Sequence, residues 1–103
     1  MAFDRVDDET EDFVIPGARM VHVITVVTEA NIDRAVDILR AVQTVGADLE
    51  GLSSSRYGEW IDHRLRVSGI GTSQARAVSH TIAGLAGIRT ASVDHHLIAR
   101  PPE

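Results

Sequence analysis

VHVITVV, Val21 to Val27, is the stretch on which the fold turns. All but one of its residues are β-branched, and it holds no proline, glycine or formal charge, so it reads as a strand buried on both faces. EANIDRAV, Glu29 to Val36, follows at once and has the form of a strand-to-helix junction, where exposed N–H groups can hold a small acidic ligand. Ile32, Ala35, Val36, Leu39, Val42 and Val45 then recur at helical spacing. That spacing predicts an amphipathic helix of about four turns, stopped by Gly46.

Moving outward, ADLEGLSSS (Ala47 to Ser55) reads as a second strand, with Tyr57-Gly58 as its turn. The second half repeats the scheme. In IDHRLRV, the residues Ile61, His63, Leu65 and Val67 share one face, and Asp62, Arg64 and Arg66 share the other. SGIGTS follows as a loop in which Thr72 or Ser73 is placed to cap the next helix. Ala75, Val78, Ile82 and Leu85 line one side of that helix, which stops near Gly87. Thr90 to Ile98 form the last strand, ended by Arg100-Pro101-Pro102.

Strand, helix, strand, strand, helix, strand is the split βαβ arrangement, an α+β ferredoxin-like sandwich. Right-handed crossovers leave a gap between the two strands of each half, and the other half fills it. The expected sheet is antiparallel, in the order 4-1-3-2, with both helices on one face. The domain is expected over residues 19–99, between an acidic N-terminal arm at 1–18 and a C-terminal tail at 100–103. About 80 residues in two layers bury limited apolar area, so a further contact through the uncovered sheet face or an edge strand would add stability.

Charge supports this division. The whole chain of 103 residues carries −5, and residues 1–17 account for all of it, with six acids against Arg5. The rest holds nine acids and nine arginines and is neutral. Electrostatic nucleic-acid binding therefore has no basic surface to rest on. Neither a disulfide framework nor a thiolate metal site is available, because there are no cysteines. No run approaches the roughly 18 apolar residues of a membrane span, and the first residues lack the basic-then-apolar form of a signal peptide. A cytoplasmic protein with no membrane contact is expected. The arm lacks apolar periodicity and is expected to be flexible, a disordered solubilising tail; the alternative is a partner-docking segment built on Phe13, Val14 and Ile15.

VITVVTEANIDRAVDILRAVQTVGADLEGLSSS resembles the ACT-type regulatory domain, and in particular the small regulatory subunit of acetolactate synthase. The likeness covers about residues 20–98 and includes Val45-Gly46 and the following Ala47-Asp48-Leu49-Glu50-Gly51-Leu52. The resemblance implies a non-catalytic module that pairs with a copy of itself. It further implies an amino acid bound where the first strand-to-helix turn meets the second strand of the partner, and an amino-acid-metabolism enzyme as the regulated protein. In this chain that site falls on Thr28, Glu29, Ala30, Asn31, Ile32 and Asp48. Ligand-binding members have asparagine and glycine in the turn and another asparagine opening strand two. Here Ala30, Asp33 and Asp48 stand in those places.

Asp33 repels an α-carboxylate and can itself satisfy the helix dipole, so the junction is expected to cap its own helix. An amine-bearing ligand would suit its acidity better than a bare acid. The five histidines raise an alternative, a ferredoxin-like metal or small-molecule sensor using His22, His63, His95 or His96 at an interface. His95 and His96 point to opposite faces, and His63 and His95 flank the first strand about 10 Å apart, so His22 or a partner would have to bridge them. Satisfied structural histidines are the expectation, with no metal site and no cofactor. Gly69-Ile70-Gly71 reads as a capped turn, since Gln74 replaces the third glycine of a dinucleotide loop. No nucleophile, base and orienting acid stand at a recognisable spacing, so no catalytic residue is assigned and no enzyme is expected.

Overall fold

A computed structural model describes residues 18–99 of the chain. The acidic arm with its Phe13–Ile15 cluster, but for Ala18, and the C-terminal tail lie outside the described residues. Six elements follow one another: β1 (Ala18–Glu29), α1 (Ile32–Thr44), β2 (Asp48–Tyr57), β3 (Trp60–Ser68), α2 (Thr72–Ala83) and β4 (Ile88–Ala99). The four strands form one antiparallel sheet in the order β2-β3-β1-β4, which is 4-1-3-2 read from the other edge. The split βαβ reading is therefore the observed architecture.

Strand parity decides which residues meet the helices. Ile24 and Val26 of β1 and Leu65 and Val67 of β3 form one buried cluster with Ile38 and Val42 of α1 and Ala75, Val78 and Ile82 of α2. Both helices thus cover a single face of the sheet. Burying each such side chain contributes roughly 1.5–3 kcal/mol before chain entropy is counted.

The expectation for β1 needs one correction. On its helix side His22, Ile24, Val26 and Thr28 are fully buried, but Val23, Thr25 and Val27 are only half-buried, because nothing among the described elements lies on the other face. Val21 is the exception, fully buried yet outside the core cluster. Arg19, Ser68 and Glu50 gather at that end of the sheet. The Glu50 carboxylate accepts from Ser68 Oγ at 2.6 Å and pairs with Arg19 at 3.1 Å.

Helix ends follow local chemistry. Gly46 ends α1 in the left-handed region at φ 74°, which only glycine adopts without cost, and its N–H bonds to the Gln43 carbonyl at 3.0 Å. At α2 the cap differs from the one expected. Gly71 takes the N-cap position and Gln74 Oε1 accepts its N–H at 3.1 Å, while Thr72 enters the first turn and is buried.

Candidate functional site

The β1–α1 turn is closed by bonds within the chain. Asn31 is the N-cap of α1, and its Oδ1 accepts the Asp33 N–H at 2.8 Å. Asp33 lies in the first turn, where its charge opposes the positive end of the helix. The self-capping expected here is thus divided between two residues, Asn31 as hydrogen-bond acceptor and Asp33 as charge. Neighbouring N–H groups are engaged as well: Glu29 with the Gly87 carbonyl at 2.9 Å, Ala30 with Glu59 at 3.0 Å, Asn31 with Glu29 at 2.8 Å and Arg34 with Asn31 at 3.0 Å. Of the N–H groups from Glu29 to Arg34, that of Ile32 is left without such an acceptor, so an acidic ligand group would meet one open donor rather than a cluster of them.

Long-range packing holds the turn in place. Arg34 donates to the Ala86 carbonyl at 2.7 Å, lies 3.5 Å from the Asp37 carboxylate, and runs its stem over Gly87. Gly87 is left-handed, with φ 77°, and a Cβ there would stand 2.5 Å from Arg34 Cδ and 2.8 Å from Glu29 Oε1. The sequence marks Gly87 only as a helix stop. Its contact with a turn 58 residues away leaves no local signal. Ile32, next to the cap, is 81% exposed, an unusual position for a large apolar residue on an amphipathic helix.

Asp48, the sixth candidate, stands elsewhere. Thr28 is level with Ile61 on β3 and with Arg56 on β2, whereas Asp48 pairs with Ser68, seven residues further along β3. The separation is roughly 23 Å at about 3.3 Å per residue. Thr28 to Ile32 therefore lie at one end of the sheet and Asp48 at the other. The Asp48 carboxylate leans on Gly69, so closely that a Cβ there would be 2.8 Å from Oδ2. Nearby, the Ser68 hydrogen bond and the Arg19 guanidinium hold the Glu50 carboxyl below its usual range.

The histidines form two separate hydrogen-bonded sets. His22 Nε2 donates to the Ile70 carbonyl at 2.9 Å, so its Nδ1 is left to accept from His95 Nδ1 at 2.8 Å. Thr28 Oγ1 of β1 donates to the Glu29 carbonyl at 2.8 Å and so accepts from Nε2 of His63 on β3 at 3.0 Å. That assigns the lone pair to His63 Nδ1, which accepts from Ser54 Oγ at 2.8 Å. Burial pushes the His63 pKa down, against a smaller upward pull from Asp62. His22 does join His95 across the β1–β4 ladder, but His63 is level with Val26, four residues further along β1. Among the described residues no three potential metal ligands converge.

Ser54, His63 and Thr28 have the connectivity of a nucleophile, a base and an orienting group. The cavity against His63 measures about 10 Å³, room for one water rather than a substrate. A wider groove of about 550 Å³ runs between α1 and β2, with Val36, Leu39, Val42 and Leu49 in its walls and Arg40 and Gln43 at its rim. Strand β2 forms the edge of the sheet beside it.

No protein-family model and no curated protein matches the sequence. Solved structures do match. The crystal structure of the ACT domain from GTP pyrophosphokinase of Chlorobium tepidum aligns with a TM-score of 0.63 at 11% identity, covering 72% of this chain and 96% of that one. Its solution structure aligns at 0.61 and 10% identity, over 76% and 88% of the two chains. The C-terminal domain of the MgtC protein from Mycobacterium tuberculosis aligns at 0.64 and 10% identity, over 80% and 92%. At such identities the likeness is one of fold, and the fold is ACT-like. No helix among the described residues is long and apolar enough to cross a membrane.

Proposed function

We propose that this chain is a non-catalytic regulatory module of the ACT type. In this reading it acts in the cytoplasm as a homodimer and holds an amine-bearing small molecule, an amino acid by preference, between the β1–α1 turn of one copy and strand β2 of the other. The observation that carries the reading is the placement of Asp48. Within one chain it cannot meet Thr28 to Ile32, but β2 is an edge strand, and edges pair with like edges. Antiparallel pairing of two β2 strands about a two-fold axis near Leu52–Ser53 would bring the second copy's Asp48 level with Tyr57, at the end of the sheet where the turn lies. Leu52 and Tyr57, 46% and 66% exposed, would be covered by the same contact.

The chemistry of the turn favours an ammonium over a carboxylate. All but one of its N–H donors, that of Ile32, are engaged, and the side chains left to read a ligand are Glu29, Asp33 and the Asp48 from across the dimer, with the exposed Ile32 for an apolar portion. By the sequence resemblance, the regulated protein is an amino-acid-biosynthesis enzyme of the acetolactate synthase kind. Sedimentation equilibrium and thermal melting with a panel of amino acids test the proposal. A dimer whose melting temperature rises with at least one amino acid is expected. A strictly monomeric chain at micromolar concentration refutes the pairing, and a rise with nickel or zinc alone would favour the histidine-based sensor instead.

A further inference from the structure

The groove between α1 and β2 is open among residues 18–99, and its chemistry is specific. Val36 and Leu49 are 41% and 48% exposed in its walls, large apolar residues that a lone domain would gain by covering. Arg40 stands exposed at the rim and makes no ion pair with any described residue. An occupant that fits is apolar in the middle and acidic at one end.

We propose that Phe13 to Ile15 of the same chain docks in this groove. The segment reads Glu9-Thr10-Glu11-Asp12-Phe13-Val14-Ile15-Pro16-Gly17; of the two apolar runs before the domain, the other being Met1-Ala2-Phe3, it is the one that directly follows acids and lies within reach of the fold. In an extended segment Phe13 and Ile15 share a side and enter the groove, Val14 faces outward, and the preceding acids meet Arg40. Reach favours the chain's own segment. Chain positions 13 and 18 are at most about 17 Å apart. Strand β1 begins at Ala18, and the neighbouring Arg19 bonds Glu50 of β2 at 3.1 Å, so the chain enters the fold beside the first residues of β2. Ala47 and Leu49, at and next to that end of β2, form one wall of the groove; Asp48 is two strand spacings across from β1 and level with Val21, which puts this end of β2 about 14 Å from Ala18. Pro16-Gly17 supplies the turn that sends the segment back over the domain.

The absence of cysteine makes the test direct. In the full chain, Val14→Cys is combined with Gln43→Cys at the groove rim, and as a control with His96→Cys, exposed on the uncovered sheet face level with Val21 and so within similar reach of Ala18. Docking predicts an intramolecular disulfide at least about tenfold faster in the first pair under mild oxidation at low micromolar concentration. Phe13→Asp, outside the described fold, should reduce that rate to the control's, and Arg40→Glu should slow it in a salt-dependent way. Equal rates in the two pairs, indifference to Phe13→Asp, or a bridge between two chains on a non-reducing gel would each overturn the proposal; the last would assign the groove to a second copy. Cross-linking in cis does not depend on pairing through β2, so the two proposals fail separately.

Discussion

Gly87→Ala probes the contact that holds the β1–α1 turn. The added methyl must tolerate φ 77°, which costs an L-residue about 1–2 kcal/mol, and it would lie 2.5 Å from Arg34 Cδ. Arg34 has to move, and moving it breaks the 2.7 Å bond to the Ala86 carbonyl. A hydrogen bond to a charged group contributes about 1.5–3 kcal/mol, here discounted to about 1–2 because the side chain keeps 19% of its exposure and water can replace the partner. The total is about 2–4 kcal/mol. For a domain of this size that lowers the melting temperature by about 8 °C or more. Urea unfolding followed by circular dichroism, at one fixed protein concentration, measures it. In an Arg34→Ala background the clash with Arg34 disappears while the backbone part and the contact with Glu29 remain, so a double-mutant cycle should return a coupling of about 1 kcal/mol or more. A Gly87→Ala cost below about 1 kcal/mol, or the same cost with and without Arg34, would show that the packing of Arg34 on Gly87 does not fix the turn.

Three further outcomes are expected. Asn31→Ala removes the acceptor of the Asp33 N–H and should cost about 1 kcal/mol in thermal melts, whereas Asn31→Gly should recover most of it. Burial holds His63 below its usual pKa in the folded chain, so the unfolded chain takes up the proton first. Stability should therefore fall as pH drops below about 6.5 and level off once the folded-state pKa is passed, and His63→Gln should flatten that part of the profile of urea midpoints between pH 8 and 5. On α1, Ile38→Ala should cost about 2–5 kcal/mol because the side chain is 1% exposed, while Ile32→Ala, at 81% exposure, should stay within about 0.5 kcal/mol in the same denaturation assay.

What the sequence disclosed, and what it withheld, follows the range of the forces involved. The helix over 32–45 ends at Thr44, and the sheet order follows from right-handed crossovers, because apolar period and chain connectivity are local or topological quantities. Burial of VHVITVV was legible for His22, Ile24 and Val26 but not for Val23, Thr25 and Val27, since a β-branched run does not reveal whether anything covers its second face. Thr72 and Ser73 are better capping residue types than glycine, yet Gln74 captures the Gly71 N–H and the cap shifts by one residue. Parity indicated that His63 points inward. Its partners, Thr28 and Ser54, come from two other strands and were not legible from period alone.

The β1–α1 turn shows the same division in one place. The resemblance marks Asp33 as a departure from glycine, and charge alone suggests that the helix start satisfies itself. Position decides how. Asn31, two residues before Asp33, takes the N–H that a glycine-lined turn would present to a ligand, and Gly87 comes from across the fold to give the close backbone approach that the turn lacks. The space over Gly87 is then filled by Arg34 and Glu29 of the chain itself. A turn so closed has little to offer a carboxylate through its main chain, and what remains is acidic: Glu29 beside it and Asp33 within the first helical turn. Recognition through such a site must come from side chains that attract a cation, and one of the two walls it would need, the start of β2 with Asp48, is roughly 23 Å away in the same chain. That distance, more than any motif, makes the proposed ligand site a property of two copies rather than one.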